Sequence, residues 1–149
     1  QHALSDLGIQ QNTSVVFNYG LILGGTLALI FSLGLITILS NKIGAYLLAL
    51  SSLALIGVGL FPETIFVIHF FMSASFFVLL VIALLIIGLT SKKNSFEHKI
   101  GTFAVVLSLI AISSIVFLFQ FEGIAITEAF SCFSAFVWCS IVGIQMTRG

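Results

Sequence analysis

The sequence predicts an all-α fold, a polytopic transmembrane helix bundle with five spans present, and three observations carry that prediction. Hydrophobic residues make up 60% of the 149 positions and charged residues only 7%, far from the roughly 25% charge of soluble domains. The apolar positions form long runs divided by short polar gaps, and at about 1.5 Å per helical residue each run suits a bilayer core of about 30 Å. All five basic residues, Lys42, Lys92, Lys93, Lys99 and Arg148, fall in alternate gaps, while four of the five acids fall in the others. Strands exposed to lipid would leave backbone groups unpaired, and the runs are too long for barrel strands, so helices are the consistent reading. Residues 1–149 read as one integral membrane domain, because no gap is long enough to hold another.

The first span runs from Val15 to Leu39, and Asn41 and Lys42 interrupt it. Gly44 to Phe61 makes a second span at the short end of the range, stopped by Pro62, which offers no N–H to a helix. Thr64 to Leu89 makes a third, followed by the polar segment Thr90 to Lys99. Gly101 to Gln120 makes a fourth, Phe121-Glu122-Gly123 reverses it, and Ile124 to Met146 makes a fifth.

The basic gaps follow spans one, three and five, so they share one side, and the excess of Lys and Arg marks that side as cytoplasmic. The expectation is a multi-pass protein of the cell membrane with residue 1 extracytoplasmic and residue 149 cytoplasmic. Lys92, Lys93 and Lys99 form only a modest patch, suited to orientation or anionic head groups and too small to argue for nucleic acid. The first residue is Gln1 and the segment Gln1 to Ser14 is neither a signal peptide nor a span. An earlier span lost from the chain, six in the full-length protein, is the expectation that follows.

This orientation gathers most remaining polar side chains on the extracytoplasmic side. Ser5, Asp6 and Gly8 suit a turn or cap leading into the first span. Asn18 lies about one turn inside that span, where an amide must find a partner or cost about 1–3 kcal/mol. Gly20 and Gly24, with Gly25 beside them, have the spacing that lets a neighbouring helix backbone approach in lipid. Glu63 opens the third span and His69 lies about 9 Å deeper along the axis, placed to carry a proton, bind a metal or head group, or bond a neighbouring helix. Glu128 opens the fifth span, where an acid is either solvated or favoured by a helix N-terminus, with Ser131, Ala135 and Trp138 on the same stripe.

Asp6, Glu63, His69 and Glu128 are the raw material for an acid and histidine cluster, but the spacing does not bring them together. The sequence carries no His-Glu-x-x-His, Gly-x-Ser-x-Gly or glycine-rich phosphate loop. Cys132 and Cys139 are seven apart on one helix face, about 10 Å, too far for a disulfide and unable to converge on one ion, so they read as packing residues. No cofactor and no metal site is expected.

Ser5-Asp6-Leu7-Gly8, then Asn18 with Gly20, then Gly57-x-Gly59-Leu60-Phe61-Pro62 and His69 resemble, in order and rough spacing, a family of prokaryotic membrane proteins catalogued as domain of unknown function 998. The likeness covers about the first half of the chain. It implies a six-helix protein whose Ser-acid-Leu-Gly segment follows the first helix, in line with a span ahead of Gln1. Relatives carry cysteines between the proline and the histidine, where this chain has Glu63 to Ile68, so a cysteine-based role there is excluded. The resemblance implies no established activity and directs attention to Ser5, Asp6, Asn18 and His69.

The expected function is that of an uncharacterised multi-pass membrane protein with a polar extracytoplasmic pocket, built from Ser5, Asp6, Asn18, Glu63, His69 and Glu128, that binds a lipid head group or small ligand. One alternative is an intramembrane enzyme acting on lipid or envelope precursors through an Asp/Glu/His site. Another is a transporter or a structural, assembly subunit, although every clear charge lies near a span edge, against ion passage through this chain alone. Expected partners are membrane lipids and a second copy or another subunit of a membrane complex.

Overall fold

A computed structural model describes the backbone of residues 13–91, 95–113 and 125–148, and the side chains of these residues apart from Ser95, 125–131, Ser134 and Arg148. Among the described residues five helices follow one another: α1 (Ser14–Ile38), α2 (Ile43–Leu60), α3 (Phe66–Thr90), α4 (Ser95–Ser113) and α5 (Ala125–Arg148), with a 3-10 turn at Glu63–Ile65. No strand occurs among the described residues. The segments carrying α1 to α4 are each long and apolar enough to cross a membrane, and in α5 the described apolar stretch is Ala135–Thr147. The protein is a multi-pass membrane helix bundle.

These helices carry apolar residues all round, which makes sense only if one face meets other helices and the opposite face meets lipid. Val16, Tyr19, Leu23, Phe70, Phe71 and Phe136 are large, apolar and exposed. The interior holds Leu35, Ala45, Ala83, Ala104 and Trp138, all without exposed surface. Hydroxyls inside the spans spend their protons on the backbone, as a medium without water requires. Ser32 donates to the Ala28 carbonyl at 2.6 Å, Ser52 to that of Leu48 at 2.8 Å, and Ser51 reaches from α2 to the Phe76 carbonyl of α3 at 3.0 Å.

Each helix packs chiefly on the next in sequence, and α5 touches α1 only marginally. Glycines set the approach. A Cβ added at Gly25 would stand 3.0 Å from the Ser52 carbonyl oxygen of α2, and one at Gly59 would stand 2.7 Å from the Asn18 carbonyl oxygen of α1. Gly44 plays the same part between α2 and α3, while Gly88 and Gly101 face each other between α3 and α4.

Two features of the bundle differ in detail from the sequence pattern. Gly20 and Gly24 do not mediate close packing among the described residues, since a Cβ at either would meet nothing within 4 Å. The tight crossing runs through the next glycine, Gly25, because one residue turns about 100° around a helix and moves the contact to another face. The fourth helix starts at Ser95 and not at Gly101, inside a segment read as a polar loop. The spacing Asn94-x-x-Glu97 is a helix-start signature, and in the first turns Glu97 and Ile100 turn inward, 2% exposed each.

Candidate functional site

At mid-height of the bundle a cavity of about 460 Å³ opens between α1, α2, α3 and α5. Its walls include Gly20, Leu21, Gly24 and Phe31 of α1, Leu48, Ser51, Ser52 and Leu55 of α2, Phe76 and Leu80 of α3, and Cys132, Ala135, Cys139 and Ser140 of α5. The space exists because α5 leans on α4 and barely reaches α1, and because two of the α1 wall positions are glycines without side chains. Ser51 and Ser52 line it but have given their protons to Phe76 and Leu48. The wall is therefore largely apolar, with the Ser51 and Ser52 oxygens left to accept and the Ser140 hydroxyl on its α5 side. Its size falls within the usual range for small-molecule sites, about 300–1,000 Å³.

Trp138 closes the neighbouring part of the bundle. Its indole Nε1–H donates to the Ile100 carbonyl of α4 at 3.3 Å, and its ring meets Phe31 of α1 edge-on with centroids 5.5 Å apart. One residue thus links α5 to α4 and, beside the cavity, to α1. Both cysteines pack against the core and line the cavity, about two helical turns apart.

The end of the bundle that carries Pro62 holds three of the polar residues singled out from the sequence. Phe61 caps α2, its N–H bonded to the Gly57 carbonyl at 2.9 Å. Pro62 then directs the chain outward, and the Ile65 N–H returns to the Pro62 carbonyl at 2.9 Å to close the 3-10 turn. His69, 7% exposed, donates from Nδ1 to the Phe61 carbonyl at 2.7 Å. The carbonyl can only accept, so the proton is on Nδ1, and in the neutral ring the lone pair is on Nε2. Glu63 is half-buried, with Oε2 enclosed and lacking a hydrogen-bond partner among the described residues. Asn18, half-buried and partnered, has its backbone carbonyl against Gly59, two residues from Phe61.

Among the described residues no hydrogen bond joins Glu63 to His69, and no three His, Cys, Asp or Glu side chains form a group able to hold a metal ion. Ser5 and Asp6 lie outside the described residues. Glu128 falls in α5, but its side chain is likewise outside them.

The lysine end holds a residue that sequence reasoning passed over. Glu97 Oε1 accepts from the Ser40 hydroxyl at 2.7 Å and from the Ser40 N–H at 3.2 Å, tying the α1–α2 turn to the first turn of α4. It is the one acid among the basic gaps, and it looked like part of a solvated loop. The signal that could have found it is its place in Asn94-x-x-Glu97 followed by an apolar helical pattern.

The family model described as Protein of unknown function (DUF998) matches residues 1–145. No curated protein and no solved structure matches the chain. The family match takes in the second half of the chain, α4 and the greater part of α5 included, beyond the motifs between Ser5 and His69 that first suggested it. With four helices long and apolar enough to cross a membrane among the described residues and a match over nearly its whole length, the chain belongs to the DUF998 family and is a multi-pass membrane protein of that family, whose function is unknown.

Proposed function

We propose that this protein binds a membrane lipid, with an acyl chain in the cavity between α1, α2, α3 and α5 and the head group at the Pro62 end. The observation that carries this reading is the apolar cavity itself, about 460 Å³ at mid-height between membrane-crossing helices. A hydrocarbon chain is the occupant that such a wall and depth favour, since the lining offers apolar surface and no charge. His69 lies about 10 Å along α3 from the cavity residue Phe76, a separation that lets one lipid reach both places. The charge-free centre disfavours ion passage. The Pro62 end is the extracytoplasmic one in this reading, because every Lys and Arg in the sequence lies at the opposite end.

The cavity's glycine wall supplies the test. A Cβ at Gly20 or Gly24 meets nothing within 4 Å, so Gly20→Leu with Gly24→Leu fills the space without a backbone clash. Native mass spectrometry of protein purified in mild detergent is expected to show bound lipid on the wild type and loss of it from the double variant, at an unchanged unfolding temperature. An unchanged lipid load on the double variant rules out this cavity as the site. A change in oligomeric state without a change in lipid load favours the assembly role instead, with the groove as a helix-docking face.

A further inference from the structure

Two side chains at the Pro62 turn, Glu63 and His69, have acceptors to offer. Glu63 keeps one carboxylate oxygen enclosed without a donor among the described residues, while the residue as a whole is only half-buried, so the side chain has a face open to a ligand. His69 is 93% buried on the 7% exposure found for it, and its one donor, Nδ1–H, is committed to Phe61. With that donor committed, the neutral form of the ring offers the Nε2 lone pair. Both groups flank the same turn, since Phe61, Pro62 and Glu63 are consecutive and the His69 bond ends on Phe61. No Lys or Arg of the sequence lies in a connection at this end, so an anionic group meets neither here, whereas the Glu63 carboxylate, one oxygen of which lacks a donor among the described residues, has a charge to match.

We propose that the Pro62 turn selects a lipid whose head group bears a primary ammonium, with Glu63 as its principal acceptor and the His69 Nε2 lone pair as a second. This inference rests on the lipid reading above and names the lipid class. A primary ammonium brings a positive charge and three N–H donors to two acceptors. A quaternary ammonium brings charge without a donor, and a glycerol head group brings hydroxyls beside an uncompensated phosphate. The enclosed Glu63 oxygen gains most from the first, because an unsatisfied buried acceptor carries a desolvation penalty that only a donor removes.

The test uses the full chain in nanodiscs of phosphatidylethanolamine, phosphatidylcholine and phosphatidylglycerol in equal parts with identical acyl chains, and counts the lipids retained after extraction. The wild type is expected to retain phosphatidylethanolamine about tenfold over phosphatidylcholine, the factor that one charge-assisted hydrogen bond supplies. Glu63→Gln is expected to retain the same total lipid with that preference largely lost. Equal retention of the three lipids by the wild type overturns the proposal while leaving the cavity reading standing. Loss of all lipid from Glu63→Gln also overturns it, since Glu63 then supports the site as a whole and does not choose the head group. Excess free ethanolamine is expected to leave the preference in place, because the acyl chain holds the lipid; abolition of the preference assigns the turn to a soluble amine and overturns the lipid assignment. Failure of the cavity reading shows separately, as an unchanged total load in the Gly20 and Gly24 variant.

Discussion

Ser40 gives both its hydroxyl and its backbone N–H to one oxygen of Glu97, at 2.7 and 3.2 Å, across 57 residues of sequence. The carboxylate is 2% exposed, so its charge is tolerated only because donors meet it. The pair fixes where the α1–α2 turn sits on α4, at the end of the bundle away from the cavity.

Removal of the Ser40 hydroxyl in Ser40→Ala is expected to destabilise the protein by about 2 kcal/mol, and Glu97→Ala by about 3 kcal/mol, because a buried carboxylate loses a donor in one case and two donors lose their acceptor in the other. Denaturant unfolding in detergent micelles measures both. A Ser40→Ala curve superimposable on the wild type would show that the two bonds contribute nothing to the fold.

His69→Phe keeps the ring volume and deletes the donor to Phe61, leaving a carbonyl unsatisfied at the end of α2. The expected cost is about 1–3 kcal/mol, with faster amide exchange at Phe61 and Ile65, whose N–H bonds to Gly57 and Pro62 frame the turn. Unchanged exchange at these two amides would mean that the turn holds without the histidine.

The glycines on α1 and α2 should separate sharply. Gly59→Ala places a methyl 2.7 Å from the Asn18 carbonyl oxygen, a backbone atom that cannot step aside, and Gly25→Ala does the same against α2 at 3.0 Å. Each is expected to cost about 1–3 kcal/mol, the usual range for overpacking. Gly20→Ala and Gly24→Ala meet open space and are expected to be neutral or slightly stabilising. Thermal melts of the four single variants decide the matter; equal losses at all four would contradict the assigned crossing.

Trp138 is the single tryptophan of the chain and has no exposed surface, so its fluorescence reports one site. Emission is expected to be blue-shifted and weakly quenched by aqueous acrylamide. Trp138→Phe is expected to lose about 1–2 kcal/mol through the missing bond to Ile100 and the reduced contact with Phe31. Strong quenching of the native protein by acrylamide would show that α5 does not close on α4 and α1 as described.

How much was legible in the sequence follows from which forces act locally. Hydropathy is a property of single residues summed over a run, so the membrane character and the places where α1, α2 and α3 begin and end could be read to within a few residues. The family likeness, carried by short motifs between Ser5 and His69, was legible too and extends over residues 1–145. Glu97 was not, because a charged residue beside lysines looks solvated until a partner 57 residues away is placed against it. Which glycine of α1 meets α2 was not legible for a related reason: the spacing of Gly20 and Gly24 permits close packing, but only the rotation of α1 sets Gly25 against α2.

The sequence by itself determined that this chain crosses a membrane as helices and segregates its basic residues into alternate gaps, since both follow from the cost of placing polar and charged groups in hydrocarbon. Tertiary structure alone decided the rest. That His69 spends its proton on Phe61, that Gly25 and Gly59 carry the α1–α2 crossing, and that an apolar cavity opens beside Gly20 and Gly24 all depend on how one helix turns against another. Every face of these helices is apolar, so periodicity has no preferred side to report, and the inward face is chosen by the shape of side chains meeting across the bundle.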